Sequence, residues 1–428
     1  MAITVTTSGS TLAKVGKKIQ GEAIKGFAKR SETWNLLSTL LSGEYEIQAS
    51  QREVTTPIDI IENPSGAFIS EGSYETNPVT VDMQDLTFTW AFLNHRFSFT
   101  RTSEHLDRKF RAAQVARQSV YQTQKMMEAL VRRFGVGFYG TSTGEICQTT
   151  TVATQASGTY ALANGYGQAS IDDTTYLAQP FKVGDYVALV RGGALVANAV
   201  GNVTGVSTSG LAITWIGSVT SASGDSIVFA NAYPQSSTAT LAGATEYNKA
   251  PFGLVEFMTA TTVHNLSGST YGLWNPAGTD SSGGYLTGTR IKKAQHLIKN
   301  AGGGTLNTLI MAQGVARALY QQTSAAVQFA DPLGMEILGS VSTKGIKQVD
   351  SDPLCPPGYA FGFDKRSFKK WSITEMPDAE ASSVDNSPNT TVDKLEGLSA
   401  HVLSMDFLYN IVCTRRADGY MWSGLTEA

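Results

Sequence analysis

From Val79 to Thr100 the chain alternates apolar with polar side chains: Val79, Val81, Leu86, Phe88, Trp90 and Phe92 stand between Thr80, Asp82, Thr87 and Thr89, and His95-Arg96-Phe97-Ser98-Phe99-Thr100 follows in the same rhythm. A period of two is that of a β-strand. Asn63-Pro64-Ser65-Gly66 and Asn77-Pro78 read as turns, so the region reads as a long two-stranded ribbon with no evident core of its own. Two antiparallel strands alone are only marginally stable in water, which obliges this ribbon to find a partner in the same chain or in a neighbour. It is acidic, with Glu62, Glu71, Glu75, Asp82 and Asp85, and no lysine occurs between Ser31 and Arg108.

On its N-terminal side the first forty residues read as an arm. Lys14, Lys17, Lys18, Lys25, Lys29 and Arg30 outnumber Glu22 and Glu32, and Ile19, Ala23, Phe27 and Leu36 are too few to make a core. Such a segment is ordered by an outside surface, acidic protein or nucleic acid, or remains a solvated tail.

After the ribbon the period changes to helical. Ser103 can cap a helix with Glu104 and Asp107 in its first turns, and Phe110, Ala113, Val120, Met127, Leu130 and Phe134 recur at spacings of three, four or seven. Gly135 and Gly137 are expected to end it. The rod would be about 45 Å long. Its cations (Arg108, Lys109, Arg111, Arg117, Lys125, Arg132, Arg133) exceed its anions, consistent with a solvated face or an anionic partner.

Residues 146–245 shift to Ser, Thr, Gly, Ala and Val, with Asp172, Asp173, Lys182, Asp185, Arg191 and Asp225 as the only charged residues. Short alternating runs at Tyr186 to Val190, Leu195 to Val206, Leu211 to Ile216 and Ile227 to Phe229, divided by glycine turns, predict an inserted all-β barrel or sandwich. Beyond Pro251 helix and strand signals mix. A helix from Tyr285 to Asn300 stops at Gly302-Gly303-Gly304, a buried strand runs from Leu306 to Met311, and a helix from Gln313 to Gln322 follows. Strands are expected at Ile346 to Val349, Tyr359 to Phe363 and Lys370 to Ile373. A terminal hairpin is expected at Leu408 to Thr414 and Tyr420 to Trp422, turning at Asp418-Gly419. The fold class is α+β with a β insertion.

The residues ask for no catalysis, cofactor or metal. His95, His105, His264, His296 and His401 fall in no ligand spacing, and Cys147, Cys355 and Cys413 read as reduced, buried thiols. Gly135-Val136-Gly137-Phe138-Tyr139-Gly140 matches a dinucleotide fingerprint only in letters, because it follows a helix where that site needs a strand. At 428 residues with 42% hydrophobic content the chain can bury a large core, and its net charge of -3 excludes a uniformly basic surface. No apolar run reaches bilayer length, and the N-terminus lacks a secretory apolar stretch, so folding in a cytoplasm is expected.

Taken in order, these pieces resemble the major capsid protein of tailed bacteriophages, the HK97-like fold. The resemblance rests on the basic arm, the ribbon carrying Ser70-Glu71-Gly72, the Ser98 to Glu104 strand-to-helix junction, Gly253-Leu254-Val255, and the late stretch from Thr343 through Ser351-Asp352-Pro353 to Pro357-Gly358-Tyr359-Ala360-Phe361-Gly362-Phe363-Asp364. It implies an N-terminal arm over residues 1–50, an extended loop (E-loop) over 51–102, and a spine helix with the start of a P-domain over 103–145. It further implies an insertion over 146–250, P-domain continuation over 251–290, an A-domain over 291–365 and return strands over 366–428. As function it implies a structural, non-enzymatic coat protein whose copies form the pentamers and hexamers of an icosahedral virion head around double-stranded DNA. That head would be assembled in the host cytoplasm, away from membranes. A scaffolding protein, a portal and a decoration protein are the other partners implied. Phe68, Glu71, Gly72, Glu75, Asp82, Phe88 and Trp90 become candidate inter-subunit contacts, the carboxylates facing a neighbour's arm or spine. Lys17, Lys18, Lys25, Arg108, Arg111, Arg117 and Lys125 become candidate DNA-facing cations. The lysine crosslink that some relatives form on this loop is ruled out by the missing lysine. An encapsulin-like compartment shell and a β-rich tail or surface adhesin are the alternatives.

Overall fold

The computed structural model describes residues 46–47, 53–58, 83–100, 129, 132–150, 154–163, 166, 180–207, 212–230, 245–327, 346, 348–372, 389–394 and 400–427. The arm, the distal ribbon and nearly all of the long helix lie outside these residues.

The ribbon's two runs do not pair with each other as the alternation suggested. Strands β1 (Glu46–Ile47), β2 (Glu53–Ile58) and β3 (Gln84–Thr89) form an antiparallel sheet in which Val54 stands opposite Phe88 and Thr56 opposite Leu86. Strand β4 (Ala91–Thr100) leaves that sheet after Trp90 and pairs with a strand at the far end of the sequence, β19 (Ala400–Cys413). On its other edge β19 pairs with β17 (Phe368–Ser372) and β18 (Asn389–Lys394). Local periodicity fixes which residues are strands; the choice of partner is made some 300 residues away.

Where the long helix was expected, the described residues form α1, residues 132–139, which runs through both glycines expected to end it. The reason is crowding. A methyl group on Gly135 would lie 2.5 Å from Leu354 Cδ1 and one on Gly137 would lie 2.9 Å from Pro251 Cγ, so the glycines admit neighbours and the helix ends at Gly140 instead.

Six antiparallel strands then close a barrel in the order β10-β5-β6-β9-β8-β7. They are β5 (Glu145–Thr149), β6 (Thr154–Ala163), β7 (Tyr186–Arg191), β8 (Ala194–Val206), β9 (Ala212–Thr220) and β10 (Ser226–Phe229). A barrel this small is filled by its own side chains: Cys147, Leu162, Leu189, Val203, Ile213 and Ile227 come from six different strands into one cluster. The strands that enter and leave the barrel run side by side, and Asn248 N–H donates to the Thr143 carbonyl at 3.0 Å.

Beyond the barrel, helix α2 (Leu254–Thr259) and the short pair β11 (Thr262–Val263) and β12 (Leu266–Ser267) lead to a mixed five-stranded sheet. Its order is β13 (Gly278–Asp280), β20 (Gly419–Trp422), β16 (Ala360–Phe363), β14 (Thr308–Ala312), β15 (Gln348–Asp352). Helices α3 (Gly288–Gly302) and α4 (Gln313–Val327) cover it, which is why every residue of β14 is buried. Thr287 caps α3, and Gly303, at φ 72, closes it. The expected terminal hairpin is absent: β19 and β20 belong to different sheets. Between them Arg416–Asp418 is a buried 3-10 turn that redirects the chain.

Candidate functional site

The root of the ribbon has a core after all, and it lies in its own chain. Val54, Ile58, Leu86 and Phe88 pack with Leu266, Trp274 and Val412. Polar contacts fix the register: Tyr271 Oη donates to Gln84 Oε1 at 3.0 Å, and Asn410 Nδ2 donates to the Thr89 carbonyl at 2.7 Å. Asn265 Nδ2 donates to Thr87 Oγ1, and Thr87 N–H to the His264 carbonyl. His264 and Asn265 hold left-handed backbone, φ 52 and 64, to make these contacts.

The His264 ring, 2% exposed, is enclosed by Phe88 at 5.7 Å, Phe252 at 4.3 Å and Phe257 at 5.5 Å between centroids. Burial, assisted by the nearby Arg416 charge, depresses its pKa to about 3, so the ring is neutral. Arg416 is itself buried; its Nε and Nη2 donate to the Phe257 and Ala260 carbonyls at 2.8 and 2.6 Å, closing the C-terminal end of α2, and its guanidinium lies over Trp274.

A second joint ties α1 to the barrel. Arg132 forks onto Asp185, with Nη2 to Oδ1 at 2.8 Å, and also donates to the Pro180 carbonyl at 2.8 Å. Arg133 pairs with Glu246 at 2.7 Å while stacking 3.3 Å over the Phe229 ring. Tyr166 Oη donates to the Leu354 carbonyl, and Val136 of α1 contributes to the barrel core while Phe134, Phe138 and Tyr139 face the main one. Gly253, first of the Gly-Leu-Val signature, permits a close backbone approach to the end of α1. A methyl group there would lie 2.3 Å from the Gly140 carbonyl oxygen.

Of the expected contact residues, Phe88 and Trp90 come together at this root, edge to face at 5.8 Å. Phe88 is 4% exposed and serves the chain's own core. Phe68, Glu71, Gly72, Glu75 and Asp82 lie outside the described residues, as do Lys17, Lys18, Lys25, Arg108, Arg111, Arg117 and Lys125. Met83 and Phe92, flanking the root, are 63% and 57% exposed. Residue reasoning missed His264, Arg416 and the two arginine joints, because burial of a charged or titratable side chain leaves no periodic trace. Among the described residues no three His, Cys, Asp or Glu side chains are grouped to hold a metal, and no helix is long and apolar enough to cross a membrane.

No family model matches the chain, and no curated protein does. Solved structures do. The chain is similar to a protein of the cyanophage A-1(L) capsid asymmetric unit, with TM-score 0.48 and 11% identity over 93% of each chain. It is similar to the capsid of a native GTA particle, with TM-score 0.45 and 10% identity over 92% of this chain and 91% of that one. It is also similar to the capsid of Myoviridae phage XM1, with TM-score 0.40 and 8% identity over 91% and 95%.

Proposed function

We propose that this chain is a coat protein with the HK97-like fold, the major capsid protein of a tailed-phage head that builds pentamers and hexamers around double-stranded DNA. One observation carries the reading. Strands β2 and β3 are fixed at their root by Leu86, Phe88, Trp274 and Val412, yet they are joined by residues 59–83, far longer than the two to five residues of an ordinary hairpin connection. An acidic, alternating segment of that length on a rigid root suits contact with a neighbouring copy, where its apolar face is covered. The barrel is then an insertion between spine helix and P-domain, set on a doorway one hydrogen bond wide at Thr143 and Asn248. The basic residues of arm and spine line the DNA side, touching phosphate without reading sequence. Such contacts are heterologous, and closure of rings follows from their geometry.

Sedimentation velocity of the purified chain, with negative-stain images of the fast fraction, tests this. Closed shells or capsomer-sized rings are expected. A chain that stays monomeric at high concentration even when co-expressed with scaffolding candidates overturns the reading.

A further inference from the structure

Three side chains beside the ribbon root carry buried nitrogens that meet no hydrogen-bond partner: Arg416 Nη1, Trp274 Nε1 and both ring nitrogens of His264. The three residues are 1%, 0% and 2% exposed, so bulk solvent does not reach them. They share one neighbourhood. The Arg416 guanidinium carbon lies 6.0 Å from the centre of the Trp274 ring. Phe257 touches the other two: its carbonyl accepts from Arg416 Nε at 2.8 Å, and its ring centre is 5.5 Å from that of His264. The 3-10 turns Gly272–Trp274 and Arg416–Asp418, which supply the indole and the guanidinium, pack against each other. Buried polar atoms in folded chains are nearly always matched, because each unmatched one forfeits its hydration for nothing. Four in one neighbourhood point to a ligand.

Charge decides which ligand. Arg416 is a buried cation that makes no ion pair among the described residues. Asp418, two positions on, pairs with Arg415, and Glu256, whose charge reaches Arg416, accepts from the Ser142 N–H and Oγ. The Phe257 and Ala260 carbonyls offer Arg416 dipoles but no counter-charge. A buried ion lacking an opposite charge costs more than a buried neutral atom lacking a hydrogen bond. Water would match the nitrogens and leave the charge; an anion meets both. Guanidinium, indole and the one N–H of a neutral imidazole are all donors, and a donor set around a positive charge suits an acceptor that carries no proton of its own. We propose that Arg416, Trp274 and His264 bind a small monovalent anion of the halide class. The ion braces the root of the ribbon, through the His264 ring against Phe88, to the turn that joins β19 to β20.

The test is urea unfolding of the dilute full chain at pH 8, where His264 is neutral, in sodium bromide against sodium fluoride at fixed ionic strength. Bromide is the probe because it lacks the general stabilising effect of strongly hydrated anions, so any stabilisation it gives reports binding. Stability is expected to grow with the logarithm of bromide concentration, with the slope of one ion per chain. A response no greater in bromide than in fluoride would mean that water meets these nitrogens, and the proposal would fall. Trp274→Phe keeps an aromatic ring and removes one donor; it is expected to weaken bromide affinity roughly tenfold. With nitrogen-15 at the six tryptophans, the indole resonance missing from that variant should shift with bromide and saturate at the affinity found by unfolding. Shifts confined to other indoles, or shifts that grow without saturating, would indicate an adventitious ion only and overturn the assignment. The titration of the original chain decides even where the variant fails to fold.

Discussion

His264 combines left-handed backbone with a ring sealed among three phenylalanines, and both features bear on how the ribbon root responds to acid. Its native pKa of about 3 lies below the ordinary 6.5, so the unfolded chain binds a proton that the folded one refuses throughout that interval. Stability contributed by the neutral ring is therefore complete above pH 6.5 and declines as pH falls toward 3, by up to about 5 kcal/mol. His264→Asn keeps a residue that tolerates φ > 0. It is expected to be less stable at pH 8 by about 1–3 kcal/mol through lost ring contacts. Its denaturation midpoint should also fall less steeply between pH 6.5 and 4; parallel pH profiles would contradict the assignment. Gly253 gives a second prediction at this scale. Gly253→Ala is expected to cost about 2–3 kcal/mol because its methyl would meet the Gly140 and Gly137 carbonyls at 2.3 and 2.6 Å. Gly272→Ala, with nothing within 4 Å, should stay within about 0.5 kcal/mol by urea titration.

At the scale of elements, the two arginines at the start of α1 decide how the barrel sits. Arg132 and Asp185 are both largely shielded, and removing one partner strands the other. Asp185→Asn is expected to destabilise by about 3 kcal/mol and to raise hydrogen exchange in β7 and around Pro180 more than in the mixed sheet. Uniform loosening across both would mean that the clamp is not local. The sequence made these elements legible unevenly. Strands β7 to β10 announced themselves as short apolar runs divided from one another by glycine turns, and α3 did so through its apolar spacing and its Gly302-Gly303-Gly304 stop, whereas its Thr287 cap was not read. The ribbon's pairing was illegible, since β2 with β3 and β4 with β19 are chosen by burial over long separations. Gly135 and Gly137 misled because the same residue that breaks a helix also admits a close neighbour, here Leu354 and Pro251. Arg132 and Arg133 look like any solvated pair until the barrel supplies Asp185 and Glu246.

For the molecule as a whole, the division between a rooted ribbon and an acidic, lysine-free distal segment predicts a separation of folding from assembly. Glu71→Lys with Glu75→Lys should leave the monomer's unfolding midpoint within about 0.5 kcal/mol of the original, since neither residue belongs to the root. The same variant should fail to give fast-sedimenting species; normal assembly would remove those carboxylates from the interface. If the arm and spine line a DNA-filled interior, nuclease-protected DNA should be released progressively as salt rises. Retention indifferent to salt would place those cations elsewhere.

The hydrogen bond from Asn248 to Thr143 closes the barrel off where it begins. To the main body the hundred or so residues in between amount to a plug on a two-wire socket. A replacement module would need ends that meet at that spacing, a carboxylate each for Arg132 and Arg133, an apolar cover for Val136 and a donor for the Leu354 carbonyl. On the proposed reading this joint is where surface would be added or exchanged, by evolution or by an engineer displaying cargo, with the sheet beneath it kept.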